Sequence, residues 1–182
     1  GKTWTRVLDI SENTGVNEVH FDPRDPDTLY ASAWQRRRHV WTLIDGGPES
    51  AIYKSTDAGA TWRKVNQGLP DGDLGRIGLD VSPVNPDIVY AVVEAADGKS
   101  GFYRSTNRGE SWEKRSGFSP SSPMYYNELV CDPFNADRVF ALETFLQETI
   151  DGGKTFRRVP QQNIHVDYHA LWRDPKDPEY LL

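Results

Sequence analysis

The chain has 182 residues, 37% hydrophobic and 26% charged, the balance of a folded globular protein and not of a disordered one. A net charge of −6 argues against a nucleic-acid or anionic-membrane surface, and no apolar run approaches the ~18 residues that cross a bilayer. Cys131 is the only cysteine, which excludes an intrachain disulfide and reads as a small buried apolar residue on a strand.

Short β-branched and aromatic runs separated by Gly, Pro, Asn and Asp follow one another along the chain, and no amphipathic helical pattern interrupts them. The chain opens on "GKTW", and residues 3 to 8 read as a single strand. The clearest set comes later: "RIGLDVS" (76 to 82), "IVYAVVEA" (88 to 95), "GFYRST" (101 to 106) and "SWEKRS" (111 to 116). Two landmarks repeat around such sets. One is "STDAGATW" from Ser55, with copies "STNRGESW" from Ser105 and "TIDGGKTF" from Thr149; the other is a Pro-containing stretch at Asp22, Ser82, Asp132 and Asp174. Gly1, Gly59, Gly109 and Gly153 recur at nearly the same intervals as Pro23, Pro83, Pro133 and Pro175, so these are true repeats with loops of variable length.

Four antiparallel strands repeated every 40 to 60 residues or so predict an all-β propeller. With the strands of a blade named A to D from the axis outward, complete blades are expected over about 16–66, 76–116 and 127–160. Partial blades are expected at 1–8 and 169–182, a D strand in the first and an A strand with the start of B in the second. A closed ring normally needs four or more blades. The expectation is therefore one partial propeller over 1–182, belonging to a larger one.

Asp57 in the first motif copy invites two readings, a chemical carboxylate or a turn former. An Asp at the C–D turn can accept hydrogen bonds from N–H groups further along, Gly59 can supply a positive φ, and Ser55 and Thr61 can tie the two arms together. Trp62 then begins strand D as a wedge between blades. The second copy favours the turn, because Asn107 stands where Asp57 does; Asn makes the same turn and cannot act as a carboxylate base. The equivalent sets are Ser105, Asn107, Gly109, Ser111 and Trp112, and Thr149, Asp151, Gly153, Thr155 and Phe156.

These motif copies, with the "PDxxY" stretches, resemble the Asp-box β-propellers of the bacterial-neuraminidase-repeat type, a group that includes sialidases, xyloglucanases, sortilin-type receptor domains and large secreted bacterial proteins. The resemblance covers nearly all of the chain. It implies a secreted, periplasmic or cell-surface protein whose Asp boxes lie on the face away from the ligand site.

Candidate site residues therefore lie on the opposite loops. The insertion over residues 32 to 51 carries Trp34, Arg36, Arg37, Arg38, His39 and Trp41, an aromatic and guanidinium surface for a carboxylate, a sugar or an acidic peptide, unless it packs on a neighbouring blade and its arginines pair with acids. In "IHVDYHALW" (164 to 172), His165, Asp167 and His169 alternate; on one face of an extended segment they are a candidate transition-metal set or a base beside an orienting acid, against a hydrogen-bonded structural role. Aligning the repeats on the Pro after strand A puts Glu18, Arg76, Tyr126, Glu128 and His169 at the channel mouth. No cofactor is expected.

The favoured reading is a non-catalytic scaffold or binding module that presents loops to a protein or glycan partner, or to the remaining blades. The alternative is a glycoside hydrolase, sialidase-like or xyloglucanase-like. Tyr125, Tyr126, Glu128 and the arginines superficially suit sialidase chemistry, but here the arginines form one run in one loop, whereas those of sialidases are spread over several blades.

Overall fold

A computed structural model describes residues 1–160 and 164–182. It is all-β, with thirteen strands in three antiparallel sheets and no helix among the described residues, hence none long and apolar enough to cross a membrane. The first sheet holds β1 (Thr14–Asp22), β2 (Asp25–His39), β4 (Ala51–Ser55) and β5 (Arg63–Lys64) in that order, with β3 (Thr42–Asp45) paired to β2. The second runs β6 (Leu74–Val81), β7 (Val89–Ala95), β8 (Gly101–Ser105) and β9 (Glu113–Ser116); the third runs β10 (Leu129–Cys131), β11 (Val139–Ala141), β12 (Gln147–Thr149) and β13 (Arg157–Arg158). Each sheet is a meander whose first strand packs beside the first strand of the next, which makes them successive propeller blades with β1, β6 and β10 innermost.

The turns between third and fourth strands explain why the motif repeats. Asp57 accepts hydrogen bonds from the Ser55 hydroxyl (2.7 Å), the Thr61 amide (2.8 Å) and the Thr61 hydroxyl (2.5 Å), while the buried Gly59 N–H donates to Ser55 Oγ (2.9 Å). Asp151 makes the same bonds with Thr149 and Thr155. Asn107 keeps the pattern: its Oδ1 accepts from Ser105 (2.8 Å) and from the Ser111 amide (3.0 Å), and its Nδ2 donates to the Ser111 hydroxyl (2.8 Å). Two residues in succession adopt the left-handed region, Ala58 and Gly59, Arg108 and Gly109, Gly152 and Gly153, and a primed turn of this kind matches the twist of the flanking strands. At Gly109 a Cβ would also lie 3.0 Å from the Tyr30 ring of the preceding blade.

The core lies at the seams between blades. One cluster joins Tyr30, Ile52 and Val65 of the first blade to Ile77, Val89, Val93 and Trp112 of the second. Another joins Tyr90, Val92 and Phe102 to Leu129, Cys131 and Val139. Aromatic rings from the motif close both seams. Trp112 is buried and its Nε1–H donates to Val65 O across the blade boundary (2.8 Å), and Phe156 stacks on Phe118 with ring centroids 3.8 Å apart. Trp62, expected to wedge in the same way, instead donates to the Gly59 carbonyl of its own turn (2.9 Å). The physical reason lies before the first blade, where residues 3–8 form no strand and Trp4 is 91% exposed, so no packed blade stands beside Trp62 among the described residues. At the other end Arg173 reaches Asp132 of the third blade (3.0 Å), but residues 169–182 contribute only an isolated Arg173–Leu181 bridge.

Candidate functional site

The three innermost strands bring Glu18, His20, Arg76, Leu79, Glu128 and Leu129 around a cavity of about 260 Å³. Glu18 and His20 sit two residues apart on β1 and so share a face. The chain reverses the usual economy of an edge strand here: free N–H groups of one innermost strand are taken by carboxylates of the previous one. Leu79 N–H donates to Glu18 Oε2 (2.8 Å), and Cys131 N–H donates to Asp80 Oδ2 (2.6 Å). Asn127, fully buried, donates through Nδ2 to the Arg76 carbonyl (2.9 Å), and that close approach leaves no room for a side chain at Gly78, where a Cβ would fall 1.6 Å from Asn127 O.

Charge alternates around the cavity. Arg76 Nη2 lies 2.6 Å from Glu128 Oε1 and 4.0 Å from Glu18 Oε1, so one guanidinium draws together carboxylates from the first and third blades. His20 lies between Glu18 (3.6 Å) and Asp80 (3.4 Å). Burial alone would pull its pKa down, but hydrogen bonds to Asp80 and Glu18, with their charges, outweigh it and hold the imidazole up to about 9. His20 is thus a cation at neutral pH, and the cavity is lined by two cations, His20 and Arg76, and two carboxylates, Glu18 and Glu128, with Asp80 against His20. Arrays of this kind hydrogen-bond sugar hydroxyls as both donor and acceptor.

A second cluster lies beside it. Tyr126 donates to Asp167, His169 Nε2 lies 3.4 Å from the same carboxylate, and the His169 ring stacks on Tyr126 at 4.9 Å. The hydrogen bond to Asp167 and burial raise the Tyr126 pKa. The expected alternation on one extended face is not what forms: Asp167 has φ of 94°, its N–H bonded to Thr144 O, and His165 turns to the Val166 carbonyl. Among the described residues no group of three His, Cys, Asp or Glu is arranged to hold a metal ion.

The insertion is a hairpin. β2 runs on past the blade and β3 returns along it with Arg36 opposite Asp45 and His39 opposite Thr42. Trp34 and Arg36 share one face, and the Trp34 ring lies between Arg36 (4.9 Å) and Arg76 (5.8 Å), which joins the hairpin base to the axial cavity. Arg37, on the other face, bonds Asn13 (3.0 Å) and approaches Glu12 (3.8 Å). At the tip His39 stacks on the exposed Trp41.

The structure therefore gathers Glu18, Arg76 and Glu128 in one place, Tyr126, Asp167 and His169 in a second, and Trp34 and Arg36 beside the first; His39 and Trp41 stand apart at the hairpin tip. His20, Asp80 and Asn127 are additional. His20 and Asp80 occupy the same repeat position, three residues before Pro23 and Pro83, and that shared inward position is the signal that identifies them. A third cleft, of about 320 Å³, is lined by Asp45, Asp73 and Glu94; burial raises the Glu94 pKa, partly opposed by a hydrogen bond from the Arg76 amide.

No protein-family model matches the chain. A xyloglucanase of Hypocrea jecorina (strain QM6a) is 32% identical over 108 residues, which is 53% of this chain and 12% of that protein. Among solved structures, the chain is similar to a GH74 enzyme of Niastella koreensis (TM-score 0.56, 22% identity, 82% of this chain and 23% of that one). It is also similar to the GH74 xyloglucanase of Xanthomonas campestris (TM-score 0.58, 20% identity, 81% and 24%) and to YCF48 bound to D1 peptide (TM-score 0.56, 16% identity, 87% and 44%). The chain spans less than half the length of each of these proteins. The structural likenesses agree with the sheet order in one conclusion: the fold is that of a β-propeller section.

Proposed function

We propose that the chain is the glycan-binding section of a xyloglucanase-like glycoside hydrolase, with the axial cavity and the base of the β2–β3 hairpin forming part of the sugar cleft. The observation that carries this reading is the 32% identity over 108 residues with a xyloglucanase. It reverses the order of the two functions drawn from the sequence. The Asp-box kinship, blades bounded at about 16–66, 76–116 and 127–160, and a secreted or cell-surface location belong to the same proposal.

The residues support binding more directly than bond cleavage. Glu18 and Glu128 face each other across Arg76, and because both distances are measured to one Nη2, the two oxygens are no further apart than the sum of 2.6 and 4.0 Å. That bound leaves out nearly all of the roughly 6.5–9.5 Å range of inverting glycosidases and reaches only the roughly 5–5.5 Å of retaining ones. Both are also engaged: Glu128 is in an ion pair, and Glu18 accepts the Leu79 N–H and flanks His20. Their role in this section is to orient sugar hydroxyls. The test is calorimetric titration with a xyloglucan heptasaccharide. Saturable binding in the wild type, weakened by Glu128→Gln, is expected; no binding of any neutral β-glucan oligosaccharide would refute the reading.

A second reading, a non-catalytic module that binds a peptide, draws on the likeness to YCF48 bound to D1 peptide. The same titration separates the two, since a peptide-binding module leaves the oligosaccharide unbound.

A further inference from the structure

The cluster of Tyr126, Asp167 and His169 brings three side chains of different chemistry to one point. The Tyr126 phenol and His169 Nε2 both approach Asp167 Oδ1, the imidazole at 3.4 Å, and the two rings stack with centroids 4.9 Å apart. Asp167 Oδ2 has no protein partner among the described residues, and the side chains of Asp167 and His169 are about half exposed, so the point is open to solvent. Both segments are anchored. Asp167 N–H donates to Thr144 O (2.9 Å) and Tyr168 N–H to Glu143 O (3.0 Å), while Tyr126 N–H donates to Ser122 O (3.0 Å) and Tyr126 precedes the fully buried Asn127. A fixed backbone on either side therefore presents the three groups ready-placed.

The spacing suits a metal ion. Imidazole nitrogen and carboxylate oxygen hold a first-row ion at roughly 2.0–2.2 Å. Two donors 3.4 Å apart can both reach one ion at that length without backbone movement, because their separation is less than the sum of the two bonds. The charge suits it as well. Among the described residues Asp167 has one ion pair, with His169 itself, and Arg76, which reaches the Met124 carbonyl (3.5 Å), is matched by Glu128 (2.6 Å). The set lies outside the groups of three His, Cys, Asp or Glu because its third donor is a phenol. It contains no thiolate, and among divalent first-row ions copper binds such nitrogen and oxygen donors most tightly.

We propose that Tyr126, Asp167 and His169 bind a copper(II) ion, with water completing its coordination. The site is separate from the axial cavity and does not depend on the glycan-binding reading above. Asp167 supplies a carboxylate oxygen and His169 the Nε2 of a neutral imidazole. The Tyr126 phenol gives up its proton to solvent as its oxygen bonds the metal, so loading releases a proton and the hydrogen bond to Asp167 is exchanged for a shared ion. His165 is no part of the set, since its ring turns to the Val166 carbonyl.

The experiment titrates the chain with copper(II) sulfate, with glycine present as a weak competing chelator, and follows visible absorption and electron paramagnetic resonance. Wild type is expected to take up one equivalent, with a phenolate-to-copper charge-transfer band and hyperfine coupling from one imidazole nitrogen. Tyr126→Phe should abolish the band, and His169→Ala and Asp167→Asn should each weaken binding by about tenfold or more, while His165→Ala changes nothing. Circular dichroism establishes that the variants are folded, and Asn suits the positive φ at Asp167. A folded wild type that shows no such band overturns the proposal. So does copper uptake that is undiminished in His169→Ala, or that falls equally in His165→Ala and His169→Ala, since either marks adventitious copper on surface histidines. Zinc that displaces copper at equal concentration overturns the choice of metal.

Discussion

Replacing His20 by Gln removes the imidazolium that stands in the axial cavity at neutral pH, and the expected effect follows from its surroundings. Held between Glu18 and Asp80, His20 keeps its proton up to about pH 9, against an ordinary value of 6.5. Each unit of that difference is worth about 1.4 kcal/mol, so the imidazolium contributes about 3 kcal/mol at most, and the 28% exposure of its side chain trims this towards 2 kcal/mol. A pKa raised in the folded state has a definite sign: the contribution is whole below about pH 6.5, declines as pH rises through the folded value of about 9, and is gone above it. Urea unfolding of wild type and His20→Gln across this window should therefore show a gap in stability that is wide in mild acid and closes in mild base. The ring-proton shifts of His20, followed by NMR, should titrate near 9. A gap that does not change with pH, or a His20 that titrates near 6.5, would refute the ion-pair account.

Two further outcomes concern the turns and the seams. Asp57→Asn should leave the unfolding midpoint unchanged, because Asn107 already makes the same bonds, whereas Asp57→Ala should lower it; equal effects of the two would show that charge, not hydrogen bonding, holds the turn. Trp112→Ala should cost about 3–5 kcal/mol by chemical denaturation, and Trp62→Ala well under half of that, since only Trp112 is buried across a blade boundary.

The repeat made the architecture legible because each blade solves the same local problem. A tight turn with consecutive left-handed residues needs Gly59, Gly109 and Gly153 together with a side-chain acceptor two positions before each of them, and these are constraints on residue type that spacing alone reveals. Asn107 separated turn chemistry from catalysis for the same reason. The site was less legible. Glu18, Arg76 and Glu128 could be aligned on the repeats, but their convergence on one guanidinium depends on how neighbouring blades are set side by side. His20 and Asp80 escaped notice since neither stands out alone; only across a blade boundary do they become a pair. The segment at His165 failed differently: a period of two predicts a common face only for an extended backbone, and the positive φ at Asp167 breaks that condition.

The carboxylates that reach from one innermost strand to the amides of the next have a consequence for the protein outside its native state of assembly. An innermost strand is the open margin of its sheet, and an open margin is a template on which a strand from another molecule can add. Glu18 and Asp80 occupy amides on β6 and β10 that such a strand would need, and they place charge along the same line. Neutralising either by amide substitution would leave hydrogen-bonding capacity largely in place while removing that charge, so resistance to intermolecular sheet growth would fall before the blade itself came apart.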